Sequence, residues 1–197
     1  MALAQRYSAS FLDTGLTFRA IALLCDIERE VAPENLAGIW RRRIVHQVAE
    51  PPEFRELIRI DGCDVTADIF NYEADIHLDD VAKSITLRSE ILSYHEALLT
   101  VPRTIAAGRD VSLSLLADAH LHVYLTADYK SRRMRRRQQT LTMPDRSIVV
   151  GCTTSLDCSV QEELEKRTNM VRVDTSQLTP DAVLDLICER ISRRSVI

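Results

Sequence analysis

The chain has 197 residues, 46% of them apolar, and a net charge of −4. That length holds one domain, or one domain with an insertion, around a core large enough to fold without staples. The acidic balance argues against a general nucleic-acid binder, and no apolar run approaches the length that crosses a bilayer.

Met1 to Tyr7 reads as the end of a helix. Phe11 and Leu12 then run into Asp13-Thr14-Gly15, and "TGLTFRAIALLCDIER" is apolar on most sides, which predicts a buried helix from Thr14 to Glu28. Leu36, Ile39, Trp40, Ile44 and Val48 keep a helical stripe that predicts a second helix over 33–48. After Pro51-Pro52, alternation across Leu57 to Ile60 and turn chemistry at Asp61-Gly62 predict a small β excursion. A long helix is expected from Asp79 to Thr100, with Val81, Ile85, Arg88 and Leu92 on its stripe.

In the second half, "RTIAAG", "AHLHVYLTA" and "NMVRVDTS" are strand-like, and "KSRRMRRRQQ" reads as a charged helix. Thr179-Pro180 opens a last helix, Thr as cap and Pro at the first helical position, with Val183, Leu184, Ile187 and Ile191 facing inward. Strands alternating with helices predict an α/β fold with a parallel sheet covered on both faces.

In such a sheet ligands bind beyond the carboxyl ends of the strands. Asp13-Thr14-Gly15, Gly108-Arg109-Asp110 and Thr126-Ala127 occupy that position. With Arg19 and Arg88 they make a set of arginines, carboxylates and hydroxyls. Arginine's planar fork matches phosphate oxygens, and Asp110 can accept from a sugar hydroxyl or a base amine. The chemistry suits a nucleotide or a phosphorylated metabolite; an Arg109–Asp110 pair that merely caps the strand is the competing reading.

Other clusters are read as structural. Asp75, His77, Asp79 and Asp80 in "DIHLDD" are expected as caps and dipole partners rather than metal ligands, so no metal is assigned. Cys25, Cys63, Cys152, Cys158 and Cys188 show no C-x-x-C spacing and no even count. With no signal-peptide pattern, they read as reduced thiols of a cytoplasmic protein.

The blocks "FLDTGLTFRAIAL", "IDGCDVTADIF", "VAKSITLRSEIL", "GRDVSLSLLADAHLHVYLTA" and "RRMRRR" resemble, in order and approximate spacing, those of the bacterial cytidylate kinases. The closing "VRVDTSQLTPDAVLDLICERI" is similar to that family's last strand and helix. The resemblance implies a P-loop nucleoside monophosphate kinase-like α/β fold, phosphoryl transfer from ATP to CMP, dCMP or a modified pyrimidine monophosphate, and Mg²⁺ with the donor. It implies a kinase-like core over 1–50 and 81–197, a lid over about 132–165, and a monophosphate-binding insertion over 51–80.

By position, Thr14 and Arg19 match residues that approach the acceptor nucleotide, and Arg88 matches the arginine that holds its phosphate. Arg109 and Asp110 match a "GRD" motif that reads the cytosine, and Arg132 and Arg133 match the start of the lid helix, where they would assist transfer. Asp79 stands where the family has a base-recognising serine. Phe70 replaces an arginine, and His95-Glu96 replaces Gln-Arg.

Two departures concern the donor. Beyond Arg137, "DRSIVVGCTTSLDCSVQEELEKR" lacks the family's lid spacing of arginines, and no G-x-x-x-x-G-K-S/T occurs in the sequence. The resemblance therefore implies that a central strand and the donor loop are missing, so that ATP and Mg²⁺ depend on a P-loop supplied upstream. An alternative follows: a catalytically inactive relative that binds a nucleotide, or a protein partner covering the open sheet. Neither nucleic acid nor membrane is expected as a partner.

Overall fold

In a computed structural model, residues 1–29, 31–99, 103–108, 111, 115–142 and 170–194 are described. They divide into two compact units, broadly residues 3–108 and 111–194.

In the first unit a short helix α1 (Ala2–Tyr7) leads into strand β1 (Ser10–Asp13), which passes directly into helix α2 (Thr14–Ile27). Asp13 caps α2 by accepting the Gly15 N–H at 2.9 Å. A Cβ at Gly15 would lie 3.1 Å from that same carboxylate oxygen, so glycine leaves room for the cap to close. Strand β5 (Thr104–Ala107) pairs with β1 in parallel, Asp13 opposite Ala107, so the two carboxyl ends are flush. The other edge of β1 is bridged to Ala49.

Helix α2 is the centre of the core. Ala20, Ile21, Leu24 and Cys25 are fully buried, and the helix packs most extensively against α3 (Tyr72–Lys83). Burial pushes the Cys25 thiol up to about 11, which makes it inert.

The expected helix over 33–48 does not form. Two 3₁₀ turns, Pro33–Leu36 and Trp40–Arg42, precede strand β2 (Ile44–Gln47). Gly38, at φ +75°, breaks the helical path, and Ile44 to Gln47 alternate buried and exposed, which is a strand's period. Leu36, Trp40 and Ile44 are buried as expected, but Ile39 is exposed. Strand β2 pairs antiparallel with β3 (Leu57–Ile60), which turns at Asp61-Gly62, both at positive φ, into β4 (Cys63–Asp64).

The single helix expected from Asp79 to Thr100 is two. Ser84, in extended backbone, ends α3 and caps α4 (Ile85–Leu98) by accepting the Leu87 N–H. The break resets the face: Leu87, Ile91 and His95 are buried at fourfold spacing, while Ile85 is exposed. Trp40 anchors the 3₁₀ turns to α4, its Nε1–H donating to Glu90 at 2.7 Å and its ring meeting Tyr94 edge-on.

In the second unit strand β6 (His122–Thr126) pairs in parallel with β7 (Met170–Asp174). Helix α5 (Tyr129–Thr142) starts at Asp128, whose carboxylate accepts from the backbone and hydroxyl of Ser131. Helix α6 (Pro180–Arg194) opens as expected, Thr179 accepting the Ala182 N–H at 3.2 Å. Among the described residues, no helix is long and apolar enough to cross a membrane.

Candidate functional site

The flush ends of β1 and β5 form the base of the site. Thr14, in the first turn of α2, donates its hydroxyl to the Ala107 carbonyl at 3.1 Å and so fastens the helix start to the end of β5. Gly108 follows directly; Arg109 and Asp110 lie outside the described residues.

Beneath this base runs a buried polar chain. Glu56 Oε1 accepts the Asp13 N–H at 2.7 Å and lies 3.1 Å from His46 Nε2. Thr17 Oγ1 lies 2.9 Å from His46 Nδ1 and 2.8 Å from His95 Nε2. In one consistent set of directions His46 donates Nε2–H to Glu56 and accepts the Thr17 hydroxyl at Nδ1, and the Thr17 oxygen accepts Nε2–H from His95. The Tyr94 hydroxyl donates to nothing in this path but accepts the His46 backbone N–H at 2.9 Å.

Burial, with His46 adjacent, lowers the His95 pKa to about 3, so its ring is neutral at pH 7. Burial also raises the Asp13 pKa, as does the nearby Glu56 charge, against the Gly15 hydrogen bond. The chain thereby ties β1, α2, β2, α4 and the 51–56 loop into one rigid support.

Arg19, one and a half turns beyond Thr14 on α2, is held on three sides. Its Nη1 donates to Asp75 Oδ1 at 2.7 Å and to the Ile69 carbonyl at 3.3 Å, and its guanidinium lies 5.2 Å from the Phe70 ring centroid. Asp75, expected with the rest of the "DIHLDD" cluster as a cap or dipole partner, is instead the ion-pair partner of Arg19. Arg88, in the first turn of α4, donates Nη1 to the Ala82 carbonyl at 3.1 Å, beside the α3–α4 break. Asp79 is exposed and forms an i, i+4 ion pair with Lys83.

In the second unit Arg132 and Arg133 are exposed on α5. Arg135 of the same run is not: it donates to the hydroxyl of Thr175 at 2.9 Å and to its carbonyl, at the end of β7. The basic run is thus partly structural.

A model of the cytidylate kinase family matches residues 1–193. The chain belongs to the cytidylate kinase family. It is 27% identical over 208 residues to the cytidylate kinase of Corynebacterium diphtheriae, covering 97% of this chain and 86% of that protein. It is 29% identical over 209 residues to that of Nocardia farcinica, covering 98% and 86%. It is also similar to the bifunctional pantoate ligase/cytidylate kinase of Gloeobacter violaceus, 26% identical over 194 residues, covering 93% of this chain and 38% of that protein. The α/β fold, with its parallel strand pairs, is consistent with a P-loop kinase-like architecture.

Sequence reasoning missed Glu56, His46 and Thr17. Their signal was present: a threonine inside the apolar run of α2, and a histidine in phase with the buried Ile44 of β2.

Proposed function

We propose that the carboxyl ends of β1 and β5 receive a pyrimidine nucleoside monophosphate (CMP, dCMP or a modified form) as acceptor in phosphoryl transfer from ATP. Arg19 supports this reading most directly: a guanidinium on α2, the helix that begins at the end of β1, anchored through one nitrogen to Asp75 and the Ile69 carbonyl. In the proposal Arg19 and Arg88 hold the phosphate, Thr14 lines the approach, Arg109 and Asp110 read the base, and 51–80 forms the monophosphate-binding insertion. Asp79 would act in base recognition only after leaving Lys83.

In this reading the donor site is the part that the sequence does not supply. The sequence carries no G-x-x-x-x-G-K-S/T, the loop that cradles donor phosphates. ATP and Mg²⁺ belong to the reading only with a P-loop supplied by upstream sequence. In a form so extended, Arg132→Ala or Arg133→Ala is expected to slow transfer by roughly 10³-fold or more, measured as ADP release.

The absent donor motif favours a second reading, a catalytically inactive relative that binds nucleotide or a protein partner. Calorimetry of the chain with CMP and with ATP tests the acceptor reading. CMP binding without ATP binding supports it, and failure to bind CMP refutes it. The coding sequence upstream of Met1 then separates the two readings: an in-frame G-x-x-x-x-G-K-S/T favours the kinase, and an immediate stop codon favours the inactive relative.

A further inference from the structure

The side chain of Asp75 breaks a rule of protein interiors. It is only 3% exposed, Oδ1 is bonded to Arg19, and Oδ2 is buried with no hydrogen-bond partner among the described residues. A buried carboxylate with one oxygen unsatisfied costs stability relative to an apolar residue of similar volume. The carboxylate therefore does poorly as a core residue, and what it does well is hold one guanidinium nitrogen.

Arg19 shows the complementary pattern. Nη1 is fully committed, to Asp75 and to the Ile69 carbonyl, and the guanidinium carbon lies 5.2 Å from the Phe70 ring centroid. Among the described residues, Nε and Nη2 donate to nothing. These two nitrogens form the side-on fork whose parallel N–H groups fit two oxygens of a phosphate. A long side chain with 17% exposure is fixed at one corner with its bidentate edge left open.

We propose that Asp75 is a positioning residue for the acceptor phosphate. It locks Arg19 through Nη1 so that the Nε–Nη2 edge is oriented before the nucleotide arrives. The inference rests on the reading of Arg19 as a phosphate ligand. Asp75 acts only through Arg19 and does not touch the nucleotide. Orienting the fork in advance removes part of the ordering cost that binding otherwise carries. The same carboxylate also cancels part of the positive charge, so its net effect on affinity decides between positioning and inhibition.

The test is a double-mutant cycle on CMP affinity, read by calorimetry, with wild type, Arg19→Ala, Asp75→Ala and the double variant. The expected result is a loss of roughly 10-fold for Asp75→Ala that disappears in the Arg19→Ala background. Asp75→Asn keeps an oxygen for Nη1 and is expected to stay within about 3-fold of wild type. Asp75→Ala removes one partner of a largely buried ion pair and is expected to unfold at a lower temperature than wild type, so the positioning role is read from the cycle on affinity and not from stability. Should Asp75→Ala not fold, Asp75→Ser replaces it in the cycle. Tighter CMP binding by Asp75→Ala, an unchanged affinity, or a loss that persists without Arg19 overturns the inference alone. No effect of Arg19→Ala, or no CMP binding by wild type, overturns the phosphate reading and the inference with it.

Discussion

His95 joins the buried chain under the strand ends at the cost of acid sensitivity. In the unfolded chain its ring protonates with the ordinary pKa of 6.5; in the folded chain it resists protonation down to about 3. Above about pH 6.5 neither state holds the proton, and the group contributes nothing to pH dependence. Below that value the unfolded state binds more protons, so stability falls with pH by up to ~1.4 kcal/mol per pH unit until the folded ring also protonates. Asp13 acts with the opposite sign. Its folded pKa is raised, so stability is gained as pH falls through its range. His95→Gln retains a donor for Thr17 and removes the titrating ring. Urea unfolding from pH 7 to pH 4.5 is expected to show a clearly shallower fall for that variant. An identical fall would show that the acid sensitivity arises elsewhere.

Among elements, α4 depends on contacts that the helix stripe alone does not reveal. The Glu90 carboxylate accepts from Trp40 Nε1 and from the Gly38 N–H at 3.0 Å, and Arg41 donates to the Glu90 carbonyl. Glu90→Ala leaves the N–H of a fully buried indole unsatisfied, a loss of about 1–3 kcal/mol measurable by denaturant unfolding. Glu90→Gln, which keeps the acceptor, is expected to lose less. Leu24→Ala in α2 removes a fully buried side chain and is expected to cost about 2–5 kcal/mol. By contrast, the exposed pair of Arg43 with Asp61 should matter little to stability.

The elements most legible in the sequence were those fixed by local chemistry. The Asp13-Thr14-Gly15 start of α2, the Asp61-Gly62 turn and the Thr179-Pro180 start of α6 each carry their own capping or turn signal. The helix expected over 33–48 failed because Leu36, Trp40 and Ile44 are apolar at a spacing that two 3₁₀ turns and a strand also satisfy. Gly38 carried the contrary signal. Ser84 was invisible as a break because serine is tolerated inside helices and only its extended backbone makes it a cap. Arg19 and Arg88 were singled out in the sequence as phosphate-binding cations; the structure places Arg19 against Asp75 and Ile69 and Arg88 against the Ala82 carbonyl. The commitment of Arg19 to Asp75 is a contact across 56 residues, which no local pattern encodes.

For the whole molecule, the described residues hold two parallel strand pairs, β1 with β5 and β6 with β7, and a separate antiparallel sheet. In the function proposed above, the flush ends of β1 and β5 and the half-anchored Arg19 receive the acceptor. That reading makes the phosphate the decisive group of the ligand. The direct measurement compares equilibrium binding of CMP with that of cytidine, for wild type and for Arg88→Ala. Wild type is expected to bind CMP at least 10-fold more tightly than cytidine, with Arg88→Ala removing most of the difference. Equal binding of CMP and cytidine, or no binding of CMP, would contradict the account.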